Sequence, residues 1–229
     1  MFAARVAATE NLLEQGRQLA AQGELGAAIS TYTQLIQTEP DNAEAYLQRG
    51  IAHHDLGDIS QAIDDFSTAL QLRPDYPEAF YYRGEAYLHT PDIETAIADL
   101  TQAIELEPDF TQALMDRGTA FAQMGRLPEA LDDLDRALAV APDNADAYYN
   151  RGQVFTEMGN AEAALADLDA AIRLNSELAE AYGSRGLLRY QLGDAQRAVI
   201  DLQRAAALFQ ARGDLQGYQT TLYYLEQIR

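Results

Sequence analysis

Three histidines, His53, His54 and His89, are the side chains of this sequence best suited to bind a metal ion. Together with Asp55 they offer nitrogen and oxygen donors of the kind that zinc and other transition metals take. Neighbouring residues on a helix point about 100° apart, however, so His53 and His54 cannot readily bind the same ion. We therefore predict no metal site and no bound cofactor, and we expect His53 to lie in the core.

Other groups that could support catalysis are scarce. The chain has no cysteine, which excludes disulfides, thiolate metal sites and thiolate nucleophiles. Lysine is also absent, because all 16 basic residues are arginine, and this excludes Schiff-base chemistry. The sequence contains no recognisable nucleophile motif or phosphate-binding glycine loop. We predict that the chain is not an enzyme.

The charge of the chain limits its partners. It carries 36 acidic and 16 basic residues, a formal net charge of −20. This charge repels phosphate backbones and anionic lipid surfaces, so nucleic acid is disfavoured as a partner. No apolar run approaches the roughly 20 residues that a membrane helix needs, and residues 1–10 lack the long apolar stretch of a signal peptide. We expect a cytoplasmic protein without direct membrane insertion.

The whole sequence is organised as a repeat of 34 residues. The dipeptide Arg-Gly recurs at 49/50, 83/84, 117/118, 151/152 and 185/186. With this glycine at position 8 of each repeat, the sequence divides into six repeats. Their bounds are 9–42, 43–76, 77–110, 111–144, 145–178 and 179–212, with 1–8 before them and 213–229 after them.

Apolar spacing predicts that each repeat is a pair of helices, A and B. In repeat 4, Leu114 and Phe121 mark helix A, Leu127 and Leu134 mark helix B, and a turn at 125–126 separates them. Position 8 is always Gly and position 20 always Ala, which allows helices A and B to cross closely.

The repeats are joined by Pro-Asp at 40/41, 74/75, 108/109 and 142/143. Proline ends helix B, and we expect each aspartate to cap the N-terminus of the next helix A. The residue three positions later would then complete a capping box. These residues are Glu44, Glu78, Gln112 and Asp146.

This pattern resembles the tetratricopeptide repeat (TPR) family over all but the two ends of the chain. Gly at position 8 and Ala at position 20 match the family motif in all six repeats, and Pro at position 32 matches in four. The resemblance implies an all-α fold, a right-handed α-solenoid of six helical hairpins. It also implies a concave groove, lined by the A helices, that binds peptides or protein partners.

The ends of a repeat array need caps, because terminal repeats expose a face that inner repeats bury. We predict that residues 1–8 extend the first helix and that 213–229 form a C-terminal capping helix. The apolar stripe of this last helix comprises Leu215, Tyr218, Leu222, Leu225 and Ile228. The same stripe could instead contact a partner or a second copy of the chain.

Position 7 departs from the family motif, since repeats 2–6 have Arg where the family prefers Leu. Position 23 is Asp in the same repeats, whereas repeat 1 has Gln15 and Thr31 at the two positions. Pairing within a repeat leaves no charge alone, while pairing with the previous repeat would strand Arg49 and Asp201. We therefore predict structural ion pairs Arg49–Asp65, Arg83–Asp99, Arg117–Asp133, Arg151–Asp167 and Arg185–Asp201.

In the TPR pattern, positions 2, 5, 6 and 9 of helix A face the groove. Here these positions carry large apolar and acidic residues, which suit a basic or amphipathic segment. We predict that the partner-binding groove is formed by Leu47, Tyr81, Tyr82, Glu85, Met115, Asp116, Tyr149 and Asn150.

The best-known ligand mode of the family, a carboxylate clamp for chaperone C-terminal tails, requires lysines that this chain lacks. Binding of that kind is disfavoured. The sequence favours a scaffold or adaptor, including an assembly factor, that binds a partner protein segment in the groove. The alternative is a self-associating structural protein, a homo-oligomer formed through its end faces or its C-terminal helix.

Overall fold

The computed structural model describes residues 2–228, and the side chains of residues 11–228. All regular elements in this part of the chain are α-helices. In chain order they are α1 (Phe2–Ala21), α2 (Leu25–Thr38), α3 (Ala43–Asp55), α4 (Ile59–Leu72), α5 (Pro77–Leu88), α6 (Ile93–Leu106), α7 (Thr111–Gln123), α8 (Leu127–Val140), α9 (Ala145–Glu157), α10 (Ala161–Leu174), α11 (Ala179–Gln191), α12 (Ala195–Ala211) and α13 (Leu215–Ile228).

The odd-numbered helices α1 to α11 are the A helices of the six repeats, and α2 to α12 are the B helices. The first helix already begins at Phe2, ahead of repeat 1. The side chains of this predicted extension, residues 1–8, lie outside the described side chains. Within residues 2–228, no helix combines the length and hydropathy that a bilayer-spanning segment requires.

Helix A turns into helix B through a glycine in most repeats. Gly57 and Gly125 have φ angles of 83° and 71°, in the left-handed region that side chains with a Cβ rarely adopt. A glycine in this conformation ends an α-helix while satisfying its last carbonyl groups. In these repeats the short A-to-B turn is therefore encoded by a single glycine.

The junctions from helix B to the next helix A differ from the sequence prediction. The N-cap of α3 is Asn42 rather than Asp41, and its side chain accepts a hydrogen bond from the Ala45 amide at 3.0 Å. Asn144 caps α9 in the same way. At these two junctions the aspartate lies one residue before the N-cap.

Helices A and B of a repeat cross where glycine meets a large side chain. A Cβ added to Gly50 would lie 2.6 Å from the ring of Phe66, and one added to Gly186 would lie 2.9 Å from Leu202 Cγ. The alanine at position 20 is fully buried beside this crossing, for example Ala62. At Gly50 and Gly186 a side chain would be too close to the facing helix, which explains the glycine at position 8 of these repeats.

The chain divides into two compact units, an N-terminal unit up to Ala120 and a C-terminal unit from Phe121. A buried cluster around Phe66 and Ala69 forms part of the core of the N-terminal unit. The corresponding cluster of the C-terminal unit contains Leu168 and Leu188. Both clusters join side chains from consecutive repeats, as a repeat array requires.

The end of the C-terminal unit departs from the repeat. Helix α12 has 17 residues, whereas the preceding B helices α2 to α10 have 14 each. It turns into α13 through Gly213, whose φ of 77° matches the glycines of the A-to-B turns. Helices α12 and α13 are therefore joined in the manner of two helices of one repeat.

Helix α13 packs on α12, but only some residues of the apolar stripe predicted from the sequence lie in the contact. Thr221 and Leu225 are buried, and Gly217 lies against the ring of Phe209. Leu215 and Leu222 are exposed instead of buried. The reason is geometric, since residues four apart share a face, and the close contact at Gly217 selects the face of Thr221 and Leu225.

Candidate functional site

The arginines at position 7 bind the aspartates at position 23 of their own repeats. Arg49 donates from Nε and Nη2 to the two carboxylate oxygens of Asp65, at 2.8 and 2.7 Å. Paired bonds of this kind are strong and fix the orientation of the guanidinium. The same arrangement, with distances of 2.6–2.9 Å, joins Arg83 to Asp99, Arg151 to Asp167 and Arg185 to Asp201.

The fifth predicted pair is Arg117 and Asp133. Arg117 belongs to the N-terminal unit and Asp133 to the C-terminal unit. In the N-terminal unit, Arg117 Nη1 donates to Thr101 Oγ1 at 2.9 Å. In the C-terminal unit, Asp133 is buried, with 1% of its surface exposed.

The sequence prediction missed a third bond of these arginines, which reaches the preceding repeat. Arg49 Nη1 donates to Thr33 Oγ1 at 3.1 Å, and Arg151 Nη1 donates to Asp135 Oδ1 at 2.6 Å. The acceptor always stands at position 25, where every residue concerned carries a side-chain oxygen, and this column was the available signal. The acceptors are Thr33, Ser67, Thr101, Asp135 and Asp169.

The acidic residues at position 2 of helix A do not form the predicted capping boxes. They occupy the second helical residue, as Glu44 does in α3, whereas a capping box requires the third. Glu44 instead accepts hydrogen bonds from Tyr76 and Arg17. Burial raises the pKa of Glu44, but hydrogen bonds from Tyr76, Arg17 and Gln48 outweigh this effect and lower it. This carboxylate joins helices of neighbouring repeats.

Leu47, predicted to contact a partner, is a core residue. Only 3% of its surface is exposed, and it belongs to the buried cluster around Phe66. Tyr82 of the next repeat packs against this cluster, with its ring stacked on Phe66 at 6.0 Å between centroids. A large side chain on the following helix A thus covers position 5 of repeat 2. Tyr82 itself is partly buried against this cluster and partly exposed.

Tyr81 lies at the centre of an aromatic group that it forms with Tyr82 on α5 and with Phe110, the residue before α7. Its ring centroid is 5.0 Å from that of Tyr82 and 4.9 Å from that of Phe110. Its hydroxyl interacts with the carboxylate of Asp116, and hydrogen bonding between the two groups contributes to the pKa shifts of both. Burial and the charges of Asp116 and Glu85 raise the pKa of Tyr81, so its hydroxyl remains protonated. Met115, beside Asp116 on α7, is partly exposed.

The carboxyl groups of Glu85 and Asp116 lie in the same surface. Burial, together with the charge of Glu85, raises the pKa of Asp116 to about 6, although the Tyr81 hydrogen bond acts in the opposite direction. Burial likewise raises the pKa of Glu85, against an opposing effect of His89. The structure therefore brings together Tyr81, Tyr82, Glu85 and Asp116 of the predicted site.

The histidines do not assemble a metal site. The rings of His54 and His89 are in contact, with centroids 5.2 Å apart, and burial followed by the charge of His89 lowers the pKa of His54. His53 Nδ1 is buried and lies 3.6 Å from Asp58 Oδ2, too far for a hydrogen bond. No group of three or more potential metal ligands occurs within the described residues.

Tyr149 and Asn150, the last two predicted residues, lie on α9 in the C-terminal unit. Tyr149 packs against the cluster that contains Leu168. Burial is the main cause of its raised pKa. Tyr149 also lines a cavity of about 410 Å³. Asn150 is partly buried.

Solved structures resemble this chain over most of its length. YrrB, described as a TPR protein with an unusual peptide-binding site, is 28% identical, with a TM-score of 0.63 over 74% of this chain and 88% of YrrB. MamA is 26% identical, with a TM-score of 0.64 over 72% of this chain and 96% of MamA. PilF of Pseudomonas aeruginosa is 14% identical and shares the fold, with a TM-score of 0.81 over 96% of this chain and 99% of PilF.

No curated protein sequence matches the chain. Family models do match it along most of its length. The model described as TPR repeat matches residues 16–57, 52–90, 118–159 and 152–193, and the one described as tetratricopeptide repeat matches 77–110. With the helical repeats and the structural similarities, these matches show that the chain belongs to the tetratricopeptide repeat family, whose all-α helical-repeat solenoid is generally a non-catalytic scaffold for protein interactions.

Proposed function

We propose that this protein is a scaffold or adaptor that binds a basic or amphipathic segment of a partner protein. Its principal contact surface in the N-terminal unit comprises Tyr81, Glu85, Met115 and Asp116, which we call the acidic–aromatic surface. Assembly of larger complexes is a role that suits such an adaptor.

One observation carries this proposal. Within the described residues, neither Glu85 nor Asp116 forms an ion pair with an arginine, although both are partly buried. The buried aspartates at position 23, such as Asp99, are by contrast held by two hydrogen bonds from an arginine. Partly buried carboxylates without such a partner are costly to keep ionised. A cationic side chain of a partner would remove this cost on binding.

The aromatic neighbours of the carboxylates fit the same kind of partner. Tyr81 contacts Tyr82 and Phe110, so its ring is held in place before any partner arrives. Arginine and lysine bind favourably over aromatic faces as well as to carboxylates. Rigid tyrosines are also frequent hot spots in protein interfaces. The peptide-binding site attributed to YrrB supports a similar use of the fold here.

Affinity capture with a charge-matched pair of variants tests the proposal. The wild-type chain, Asp116→Asn and Asp64→Asn would be immobilised and exposed to the same native extract. Asp64 is exposed on α4, a B helix, so its substitution removes one charge away from the acidic–aromatic surface. We expect wild type and Asp64→Asn to retain the same basic partner and Asp116→Asn to lose most of it.

Asp116→Asn removes a poorly solvated charge but keeps a side chain of nearly the same size, so the packing around residue 116 is preserved. Loss of binding cannot then be attributed to unfolding, provided that both variants melt at or above the wild-type temperature. Retention of the partner by Asp116→Asn at the wild-type level would contradict the proposal. Partner retention should also weaken as the pH falls through about 6, where Asp116 takes up a proton.

Self-association is a second candidate, favoured by the outer face of α13. Leu215, Leu222 and Tyr223 are exposed there, with 69%, 37% and 58% of their surfaces accessible. Exposed apolar residues on a terminal helix are a common way to join two copies of a chain. Sedimentation equilibrium of the wild type and a Leu215→Gln, Tyr223→Gln variant would decide. A monomer in both cases removes this candidate.

A further inference from the structure

The C-terminal unit contains a second potential site, the cavity of about 410 Å³ that Tyr149 lines. It lies between α9, α11 and the pair α12 and α13. Its volume falls within the range of about 300–1,000 Å³ that is usual for ligand pockets. Tyr149, Leu187, Phe209 and Tyr224 supply large apolar surfaces to its walls. We call it the Gly183 cavity after the residue that opens it.

Gly183 occupies position 5 of repeat 6, where repeats 2–5 carry large side chains. The packing of its helix does not require a glycine, because an added Cβ would meet only Ala205 Cβ, at 4.0 Å. Gly186 on the same helix is different, since an added Cβ there would lie 2.9 Å from Leu202 Cγ. A glycine inside a helix is destabilising relative to alanine. Its role at position 183 is therefore to leave space beside the walls of the cavity.

The charged rim of the cavity favours a cationic rather than an anionic ligand. Arg212, which lies over the ring of Phe209, is already bound to two carboxylates, Glu180 at 2.5 Å and Asp214 at 3.1 Å. The rim thus has one more negative than positive charge among these three residues. Glu180 Oε2 is buried and accepts no hydrogen bond within the part of the chain that the structure describes. A buried acceptor of this kind calls for a donor.

From this geometry we propose that the Gly183 cavity binds an aromatic side chain of a partner segment, and that an arginine or lysine beside that side chain bonds to Glu180. The inference rests on the proposed function, binding of a basic protein segment, and assigns it a second contact. The aromatic residue fills the space left by Gly183 and packs on Tyr149, Phe209 and Tyr224. Contacts between aromatic rings are favourable beyond the apolar area that they bury. The basic residue is attracted by the acidic rim and by the net charge of −20.

Titration of the ¹⁵N-labelled chain with three short peptides, followed by NMR, tests this site directly. The probes are acetylated and amidated Arg-Trp-Arg, Arg-Ala-Arg and Glu-Trp-Glu. We expect Arg-Trp-Arg to shift the amide signals of Gly183 and Gly217 saturably, and each of the other two peptides to bind about tenfold or more weakly. Equal binding of Arg-Ala-Arg would overturn the aromatic pocket, and equal binding of Glu-Trp-Glu would overturn the cationic preference.

Three glycine variants distinguish a loss of binding from a loss of folding. Gly183→Leu fills the cavity and should abolish saturable binding of Arg-Trp-Arg. Gly26→Leu is its matched control, because Gly26 is also helical and an added Cβ there meets nothing within 4 Å. Gly183→Ala provides a smaller change if Gly183→Leu does not fold, and it should weaken binding without abolishing it. Unchanged binding to a folded Gly183→Ala or Gly183→Leu variant would overturn the assignment.

This test can fail while the proposed function survives. The peptide titration reports on Gly183 and Gly217 in the C-terminal unit, whereas the Asp116→Asn capture experiment concerns the N-terminal unit. If Asp116→Asn loses a partner but no peptide binds the Gly183 cavity, only the cavity assignment is wrong. If both experiments fail, the binding of basic segments is itself wrong.

Discussion

Tyr81 on α5 and Asp116 on α7 interact through their hydroxyl and carboxylate groups, and hydrogen bonding between these groups opposes the rise in the pKa of Asp116. The bond favours the ionised carboxylate, whereas burial and the nearby charge of Glu85 favour the protonated form. The balance leaves the pKa of Asp116 at about 6, compared with 3.8 ordinarily. The charge of the acidic–aromatic surface is therefore set by a competition between one hydrogen bond and desolvation.

The first prediction concerns the stability of Asp116→Asn. Because the pKa is raised on folding, the native state binds more protons than the unfolded state between about pH 4 and pH 6, and the free energy of unfolding falls as the pH rises through this range. The penalty approaches its full value about one pH unit above the folded-state pKa of about 6. Asp116→Asn removes it, and since Asp116 is only partly buried we expect a gain of about 1–2 kcal/mol at pH 7.5.

Thermal denaturation at several pH values checks this expectation. The melting temperature of Asp116→Asn should exceed that of wild type at pH 7.5, and the difference should shrink as the pH falls and vanish about one unit below the unfolded-state pKa of 3.8. Asp64→Asn should show no such pH dependence. A lower melting temperature for Asp116→Asn at pH 7.5 would mean that the carboxylate stabilises the fold, contrary to our interpretation.

A second prediction isolates the hydrogen bond of Tyr81. Tyr81→Phe keeps the ring and removes the hydroxyl that favours the ionised form of Asp116. A single hydrogen bond contributes about 0.5–1.5 kcal/mol, so the pKa of Asp116 should rise by roughly half to one unit. The ¹³C chemical shift of the Asp116 carboxyl, followed against pH, measures the change. An unaltered titration curve would show that the bond contributes nothing to the ionised state.

A third prediction concerns the ion pair of Arg83 with Asp99. Asp99→Leu leaves a partly buried guanidinium without its carboxylate and should cost about 3–5 kcal/mol. The double variant Arg83→Leu, Asp99→Leu should recover most of this loss, because two apolar side chains replace both charges. Leucine is also the residue that the TPR motif prefers at position 7. Urea denaturation of the wild type, both single variants and the double variant gives the coupling free energy.

If the double variant were as unstable as Asp99→Leu, the defect would lie in packing rather than in an unpaired charge. The bond from Arg83 to Ser67, at 3.1 Å, is lost in the double variant as well, so recovery should be incomplete.

The fourth prediction contrasts two glycines of the same helix. Gly183→Ala meets open space and should stabilise the chain by up to about 1 kcal/mol through helix propensity. Gly186→Ala brings a Cβ to 2.9 Å from Leu202 Cγ and 3.2 Å from the Ala198 carbonyl oxygen, and should destabilise by about 1–3 kcal/mol. The two melting temperatures should therefore move in opposite directions. A shift of the same sign in both variants would contradict the distinction between them.

The fold could be predicted from the sequence because the same pattern of small residues recurs in all six repeats. Two columns of small residues, typified by Gly50 and Ala62, locate the helix crossings without any knowledge of the rest of the chain. Capping was less predictable. A shift of one residue separates Asp41 from the true cap Asn42, and the sequence contains two adequate capping residues side by side.

The binding surface was harder to predict, because burial at a given repeat position depends on the neighbouring repeat. Leu47 and Tyr81 share position 5, yet Leu47 is buried beneath the next repeat while Tyr81 is partly exposed. The Gly183 cavity depends on α13, whose packing on α12 departs from the repeat pattern. A motif that describes one repeat does not contain this information.

Each arginine at position 7 also donates a hydrogen bond to position 25 of the preceding repeat, and the acceptor there differs between the first and the last repeats. Arg49, Arg83 and Arg117 bind the neutral hydroxyls of Thr33, Ser67 and Thr101. In the later repeats, the acceptors are the carboxylates of Asp135 and Asp169. In a one-dimensional lattice of repeats these bonds are nearest-neighbour couplings, and only the charged ones are screened by salt. We therefore expect added salt to weaken the couplings through Asp135 and Asp169 more than those through the neutral hydroxyls.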